Sequence, residues 1–383
     1  MTVERLRPFS STIFAEMSAL AVAHDAVNLG QGFPDTDGPA SMLAAAKDAI
    51  STGHNQYPPG IGVPALRHAV ARHQREHYGL DYDADSEVLI TVGATEAIAG
   101  AIVGLVEPGR EVVMIEPYYD SYAATVAMAG GVRRVVPLIA DGDGFRLDRE
   151  RLADAFGPKT SVVLVNSPHN PTGTVLSDDD LAEIARLCIE HDVVAVTDEV
   201  YEHLLFNGRT HTPLATLPGM RERTLRISSA AKTFNCTGWK VGWISGPSEL
   251  VAAARAAKQF MTYVGSGPFQ PAVAVALDNE MEWVRKSAAE LEAKRDLLTS
   301  ALVDSGFDVH RSEATYFVCA DPRPLGYDDG VEFCRTLPER IGVAAVPVSV
   351  FADDKEPWKH MVRFAFSKRD DVIAEAARRL RTL

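Results

Sequence analysis

Five residues carry functional groups suited to carbonyl chemistry: Asn170, Asp198, Tyr201, Ser229 and Lys232. Lys232 follows a strand-like run, Leu225-Arg226-Ile227-Ser228, and precedes the glycine- and tryptophan-punctuated stretch Thr237-Gly238-Trp239-Lys240-Val241-Gly242-Trp243. A lysine on a solvated helix is a passive charge, whereas one at the mouth of a buried sheet loses part of its hydration and can attack a carbonyl. Asp198 and Tyr201 lie three residues apart, just past the apolar run Val193 to Val196. Asn170 sits in Asn166-Ser167-Pro168-His169-Asn170-Pro171-Thr172-Gly173, where prolines and a glycine fix an irregular loop. Each alone has a plain structural explanation: an aspartate capping a turn, a tyrosine in the core, a lysine on the surface. Their occurrence together argues for a site.

The elements that must position them are legible as alternating strands and helices, the pattern of a mostly parallel sheet covered on both faces. Strand candidates are Val88 to Val92, Val112 to Ile115, Val132 to Leu138, Val162 to Val165, Val193 to Val196, Leu225 to Ser228 and Val241 to Ile244. Between two of them, Ser177 can cap a helix whose first turn is acidic and whose Leu181, Ile184, Ala185 and Cys188 recur at helical spacing. The functional residues then fall at the carboxyl ends of strands, where open α/β sheets bind ligands. There Asp198 can keep a pyridine nitrogen protonated, Tyr201 and Asn170 can hydrogen-bond a ring oxygen, and Lys232 can condense with an aldehyde, which is a pyridoxal phosphate site. The stretch Thr91 to Ile98 opens a helix after a strand, so the free N–H groups of Gly93, Ala94 and Thr95 can cradle a phosphate, with Ser229 and Lys240 adding a hydroxyl and a charge.

After about residue 280 the texture changes. Trp283 to Leu302 is patterned as a long charged amphipathic helix, followed by strand candidates at Tyr316 to Cys319 and Met361 to Phe366. We expect a large domain at 38–284, with a smaller α+β domain assembled from 1–37 and 285–383. The chain has 383 residues, 46% hydrophobic and 23% charged, enough for one large or two shared cores. A net charge of −14 argues against a nucleic-acid or anionic-membrane surface. Cys188, Cys236, Cys319 and Cys334 are far apart, with no CxxC pair, so neither zinc or any other metal nor a disulfide framework is expected and a cytoplasmic location fits. No apolar run reaches the roughly 20 residues of a membrane span.

The chain resembles a fold-type I, pyridoxal phosphate-dependent aminotransferase of class I/II over nearly its whole length. The resemblance rests on Asn170-Pro171-Thr172-Gly173, Thr197-Asp198-Glu199-Val200-Tyr201, Ser228-Ser229-Ala230-Ala231-Lys232-Thr233-Phe234 and Val362-Arg363-Phe364. It implies that Lys232 anchors the cofactor and shuttles the α-proton, that Asn170, Asp198 and Tyr201 contact its ring, and that Ala94, Thr95, Ser229 and Lys240 hold its phosphate. It assigns Tyr118 to stacking on the ring, Arg363 and the backbone of Gly32 to the substrate carboxylate, and Tyr57 to the phosphate of a neighbouring subunit's cofactor, hence a homodimer with shared sites. The family often has arginine where Lys240 stands, so the charge is kept but the bidentate fork is lost.

Within the family, Asn28 to Asp35, Asn55-Gln56-Tyr57 and Gly238 to Trp243 resemble the kynurenine, glutamine and methionine transaminase branch. Ser167-Pro168-His169, Phe234-Asn235-Cys236-Thr237 and Ala320 to Asp329 resemble bacterial members assigned to N-succinyldiaminopimelate transamination in lysine synthesis. The expected reaction moves an amino group between an amino acid and a 2-oxo acid by a ping-pong mechanism. Alternatives are a glutamine, methionine or kynurenine transaminase, with or without β-lyase side activity. Lys258, Arg5 and Arg7 are candidate cations for extra substrate carboxylates.

Overall fold

The computed structural model describes residues 2–9 and 13–383. Its centre is an eight-stranded sheet in the order Val88–Val92, Val241–Ser245, Thr224–Ser229, Val194–Asp198, Thr160–Asn166, Glu111–Glu116, Val132–Asp141, Gly144–Leu147. Every strand except Val241–Ser245 and Gly144–Leu147 runs in one direction. The central strands are buried along nearly their whole length, which explains their continuous valine and isoleucine runs without polar alternation. Helices cover both faces: Gly93–Leu105 packs with Ser248–Lys258, and Asp178–Glu190 lies among residues of the opposite core.

Ser177 begins its helix as expected, in a reciprocal capping box with Asp180. A second, four-stranded antiparallel sheet orders Asp308–Val309, Phe317–Asp321, Val362–Ala365 and Val346–Pro347. The amino-terminal strand Val27–Asn28 pairs in parallel with Val343–Ala344, and the helix Met281–Asp304 runs unbroken across residues 284 and 285. Sequence patterning missed Gly144–Leu147 and the two-residue strands, because so short a pairing carries no period.

One antiparallel strand shapes the site. Val241–Ser245 is wedged between two parallel neighbours, and its Gly242 lies against the start of the helix Gly93–Leu105. A Cβ on Gly242 would stand 2.6 Å from the carbonyl carbon of Gly93 and 2.8 Å from the nitrogen of Ala94. Both are backbone atoms that cannot swing aside. Gly242→Ala is therefore expected to cost about 1–3 kcal/mol in urea unfolding and to weaken phosphate binding by displacing the helix start.

Candidate active site

A cavity of about 280 Å³ opens at the carboxyl ends of the parallel strands. Gly32, Gly93, Ala94, Thr95, Asn170, Asp198, Tyr201, Ser229, Lys232, Lys240 and Arg363, all anticipated from sequence, line it together. Asp198 ends its strand and is buried, with 5% of its surface exposed. Tyr122 Oη donates to Asp198 Oδ2 at 2.6 Å, and the Val200 N–H donates to Oδ1 at 3.3 Å. Burial pushes the Asp198 carboxyl up to about 6, against the opposing pull of Tyr122, Val200 and Lys232. Tyr122 and Tyr201 are pushed well above the ordinary phenol range by burial, so both stay protonated and can donate, as Tyr122 does to Asp198.

Asn166, at the end of the neighbouring strand, braces the loop. Its Nδ2 donates to the carbonyls of Asp198 (2.8 Å) and Pro168 (3.1 Å), while its Oδ1 accepts the Asn170 N–H at 2.8 Å. The Asn170 side chain in turn accepts from Arg363 Nη1 at 3.0 Å. Arg363 Nη2 donates to the Gly30 carbonyl at 3.0 Å, and Nε has no partner. The guanidinium carbon lies 4.0 Å from the centre of the Phe317 ring and 4.9 Å from that of Phe351. Burial lowers Arg363 to about 10, which leaves it charged at neutral pH. Among the described residues no carboxylate lies within ion-pairing distance of it, so the structural ion pair that would otherwise explain a buried arginine is absent. A buried guanidinium bonded only to neutral carbonyls, with one N–H free, is a receptor for an incoming carboxylate.

The phosphate end is equally open. The helix Gly93–Leu105 begins without a side-chain cap, leaving its first N–H groups directed at the cavity. Gly93 has φ of 74°, and a Cβ there would come within 3.2 Å of Lys240 Nζ. The cradle is thus an N–H array, the Ser229 hydroxyl and one ammonium group, a donor set that fits a phosphate ester. Lys232, half-buried, enters from the turn after Ser229, with Nζ 5.5 Å from the centre of the Tyr316 ring.

Two tyrosines lie elsewhere than expected. Tyr118 does not face the cavity; its N–H donates to the Phe351 carbonyl and its hydroxyl to Asp353 Oδ1 at 2.7 Å. Tyr119 lines the cavity instead, because the chain turns into a helix at Asp120 and adjacent residues point to opposite sides. Tyr119 and Tyr122 then share a face at helical spacing, with ring centres 5.7 Å apart, a signal the sequence did contain. Tyr57 lies outside this cavity, 82% exposed and packed edge-on against Tyr263.

Lys258 is neither a substrate cation nor a solvated charge: it is buried, with Nζ donating to the carbonyls of Gly60 (3.2 Å) and Tyr263 (2.6 Å). Arg5 and Arg7 are exposed and do not line the cavity. Cys236 is buried with its thiol pushed up to about 12 by burial, which suits packing rather than nucleophilic attack. All four cysteines are free. No helix among the described residues is long and apolar enough to cross a membrane.

Residues 24–380 match the family model described as Aminotransferase class I and II. The chain belongs to that family. Its members are pyridoxal phosphate-dependent enzymes, and this aminotransferase is accordingly one of them in fold and reaction type. It is 59% identical to the probable N-succinyldiaminopimelate aminotransferase of Mycobacterium tuberculosis, covering 100% of this chain and 98% of that protein. A solved structure of the M. tuberculosis enzyme superposes with a TM-score of 0.98 at 60% identity, both chains fully covered. A methionine aminotransferase of Escherichia coli is 40% identical over 99% of this chain and 97% of its own. A mouse kynurenine–oxoglutarate transaminase is 36% identical over 97% of this chain and 88% of its own.

The raised Asp198 carboxyl has a measurable consequence in the cofactor-free aminotransferase. Its folded value exceeds the ordinary 3.8, so the folded state holds the proton more tightly and stability declines as pH rises from about 4 through 6. Asp198→Asn removes that decline. Cofactor-free Asp198→Asn is expected to be more stable than wild type at pH 7.5 by up to about 3 kcal/mol, with the gap closing towards pH 4 in parallel urea titrations.

Proposed function

We propose that this aminotransferase holds pyridoxal 5'-phosphate in the cavity and transfers the amino group of N-succinyl-diaminopimelate to 2-oxoglutarate, in lysine synthesis. The observation that carries the reading is the meeting of a half-buried lysine, a buried aspartate and a buried arginine without a protein carboxylate partner in one cavity. Identity of about 60% across the whole chain to the M. tuberculosis enzyme supports the substrate. When bound, pyridoxal phosphate supplies the aldehyde that takes the amino group and the ring that draws electrons from the α-carbon.

The chain's own groups do the rest. Lys232 Nζ would anchor the aldehyde at rest and, with a substrate amine in that place, would serve as the base that carries the α-proton. Asp198 holds a proton on the ring nitrogen, and Tyr122 and the Val200 N–H fix its two oxygens. Tyr201 and Asn170 hydrogen-bond the ring oxygen, Tyr119 stacks on the ring in place of Tyr118, and Gly93, Ala94, Thr95, Ser229 and Lys240 hold the phosphate. Arg363 takes the α-carboxylate through its free Nε and an Nη, beside the backbone of Gly32. Phe14 and Phe317 close the wall and exclude water. A 2-oxo acid leaves, a second enters, and the same groups run the transfer backwards.

The protein acts as a homodimer in this reading. Tyr57 and Tyr263 form an exposed aromatic pair, and Phe260 three residues away is 86% exposed. Such a surface suits a second copy, whose cofactor phosphate Tyr57 would reach. We place the domain division at 38–284 against 1–37 with 285–383.

One observation favours an uncharged substrate of the methionine type. The cavity's cations are Lys232, Lys240 and Arg363, all used by the cofactor or the α-carboxylate, so the other carboxylates of the succinylated substrate must be met from the partner subunit. Stopped-flow mixing of the yellow holoenzyme with single amino acids separates the two. Rapid bleaching of the cofactor band by N-succinyl-diaminopimelate is expected, at least about 100-fold faster than by methionine at equal concentration, and none with Lys232→Ala. Faster bleaching by methionine, glutamine or kynurenine would transfer the assignment to that substrate.

A further inference from the structure

Directly behind Tyr201 lies a group of side chains that the transamination machinery does not use. Glu202 and His203 follow Tyr201 in sequence, and His73 meets them from the helix Pro64–Tyr78. One potential ligand atom from each of His73, Glu202 and His203 lies within 4.8 Å of the others. The Nε2 atoms of His73 and His203 are 2.8 Å apart. His77 is one helical turn beyond His73 on the same face, its ring centre 4.5 Å from that of His73 and 5.4 Å from that of His203. His73 and Glu202 are buried, at 3% and 2% exposure, while His77 reaches the surface.

Two features mark the group as built to receive a cation. First, Glu202 Oε1 is buried and without a hydrogen-bond partner; the Ser228 and Tyr78 hydroxyls lie near this carboxylate, but neither reaches Oε1 in hydrogen-bonding geometry. An unpaired buried carboxylate oxygen is costly. Second, Glu199 and Glu202 share a single guanidinium, that of Arg226, which contacts Glu199 closely and Glu202 Oε2 at 3.4 Å. Arg226 serves the far side of Glu202 and leaves its other oxygen free. His73 Nδ1 is 3.1 Å from the amide nitrogen of Gln74, whose Oε1 has no partner. Turning that amide lets Oε1 accept an Nδ1–H and frees the Nε2 lone pair.

We propose that His73, Glu202 and His203 bind a late first-row divalent cation, zinc being the simplest, with His77 at the fourth position. Two imidazoles and one carboxylate form a typical N/O set for such an ion. Bonds of about 2.0 Å in a tetrahedron need ligand nitrogens about 3.3 Å apart, so the two rings open by about half an ångström on binding. The ion fastens the helix Pro64–Tyr78 to the segment that carries Asp198 and Tyr201, a strut behind the catalytic cavity and separate from it.

The test uses chelator-treated, desalted holoenzyme titrated with zinc in competition with a chromophoric chelator, and with cobalt(II) followed by visible absorption. One zinc per chain at micromolar affinity and intense four-coordinate cobalt bands are expected. His73→Gln and His203→Gln should each weaken zinc at least about 100-fold, and His77→Ala, at an exposed position, about 10-fold. Circular dichroism checks the fold of the buried variants; if either misfolds, the wild-type cobalt spectrum and His77→Ala decide. Less than half an equivalent of zinc, a pale six-coordinate cobalt spectrum, or wild-type affinity in a folded His73→Gln or His203→Gln variant would overturn the site.

Discussion

The burial of Asp198 at the end of a central strand is the constraint on which the site depends. An isolated carboxylate in a low-dielectric interior is expensive, and the sheet places this one where water cannot reach it. The neighbouring residue makes the contrast clear. Burial works against Glu199 as well, yet Arg226 and His211 outweigh it and hold that carboxyl down to about 2, whereas Asp198 has only hydrogen bonds and the lesser pull of Lys232 and is pushed up to about 6. Two adjacent acids thereby take separate tasks: Glu199 locks two strands and a loop together, and Asp198 is left wanting a cationic partner. A protonated ring nitrogen is such a partner.

The same logic governs Arg363 with the sign reversed. Its guanidinium lies among aromatic rings and neutral carbonyls, with no compensating acid among the described residues. Removing either charge alone would leave its ligand unopposed, while filling both with one substrate-cofactor pair satisfies anion and cation at once. Asn166 and Asn170 connect the two, one bonding the Asp198 backbone and the other the arginine. Rigid spacing between the ring-nitrogen acid and the carboxylate receptor is what orients an α-carbon for proton transfer at Lys232.

Much of this was legible in the sequence because strands buried on both faces are continuous apolar runs, and the residues just past their carboxyl ends face the ligand. Lys232, Asp198, Asn170 and Ser229 were found that way. Arg363 stood out as a charge inside an apolar run. The choice between Tyr118 and Tyr119 was missed, although the helical spacing of Tyr119 and Tyr122 pointed to it, since the turn after Glu111–Glu116 decides which of two adjacent side chains looks inward. Asn166 was hidden because its role is exerted on backbone groups 4 and 32 residues away. Lys258 was misjudged because carbonyls from two distant loops, not a carboxylate, accept its protons. Likewise His73 and His203 meet across 130 residues, a distance that no local period encodes.

The central claim, that the buried Asp198 exists to hold a proton on the cofactor's ring, is tested most directly by the nitrogen-15 resonance of ring-labelled pyridoxal phosphate bound to the wild-type protein. A pyridinium shift that stays constant from pH 6 to pH 9 is predicted. A resonance of unprotonated pyridine at pH 7 would contradict it.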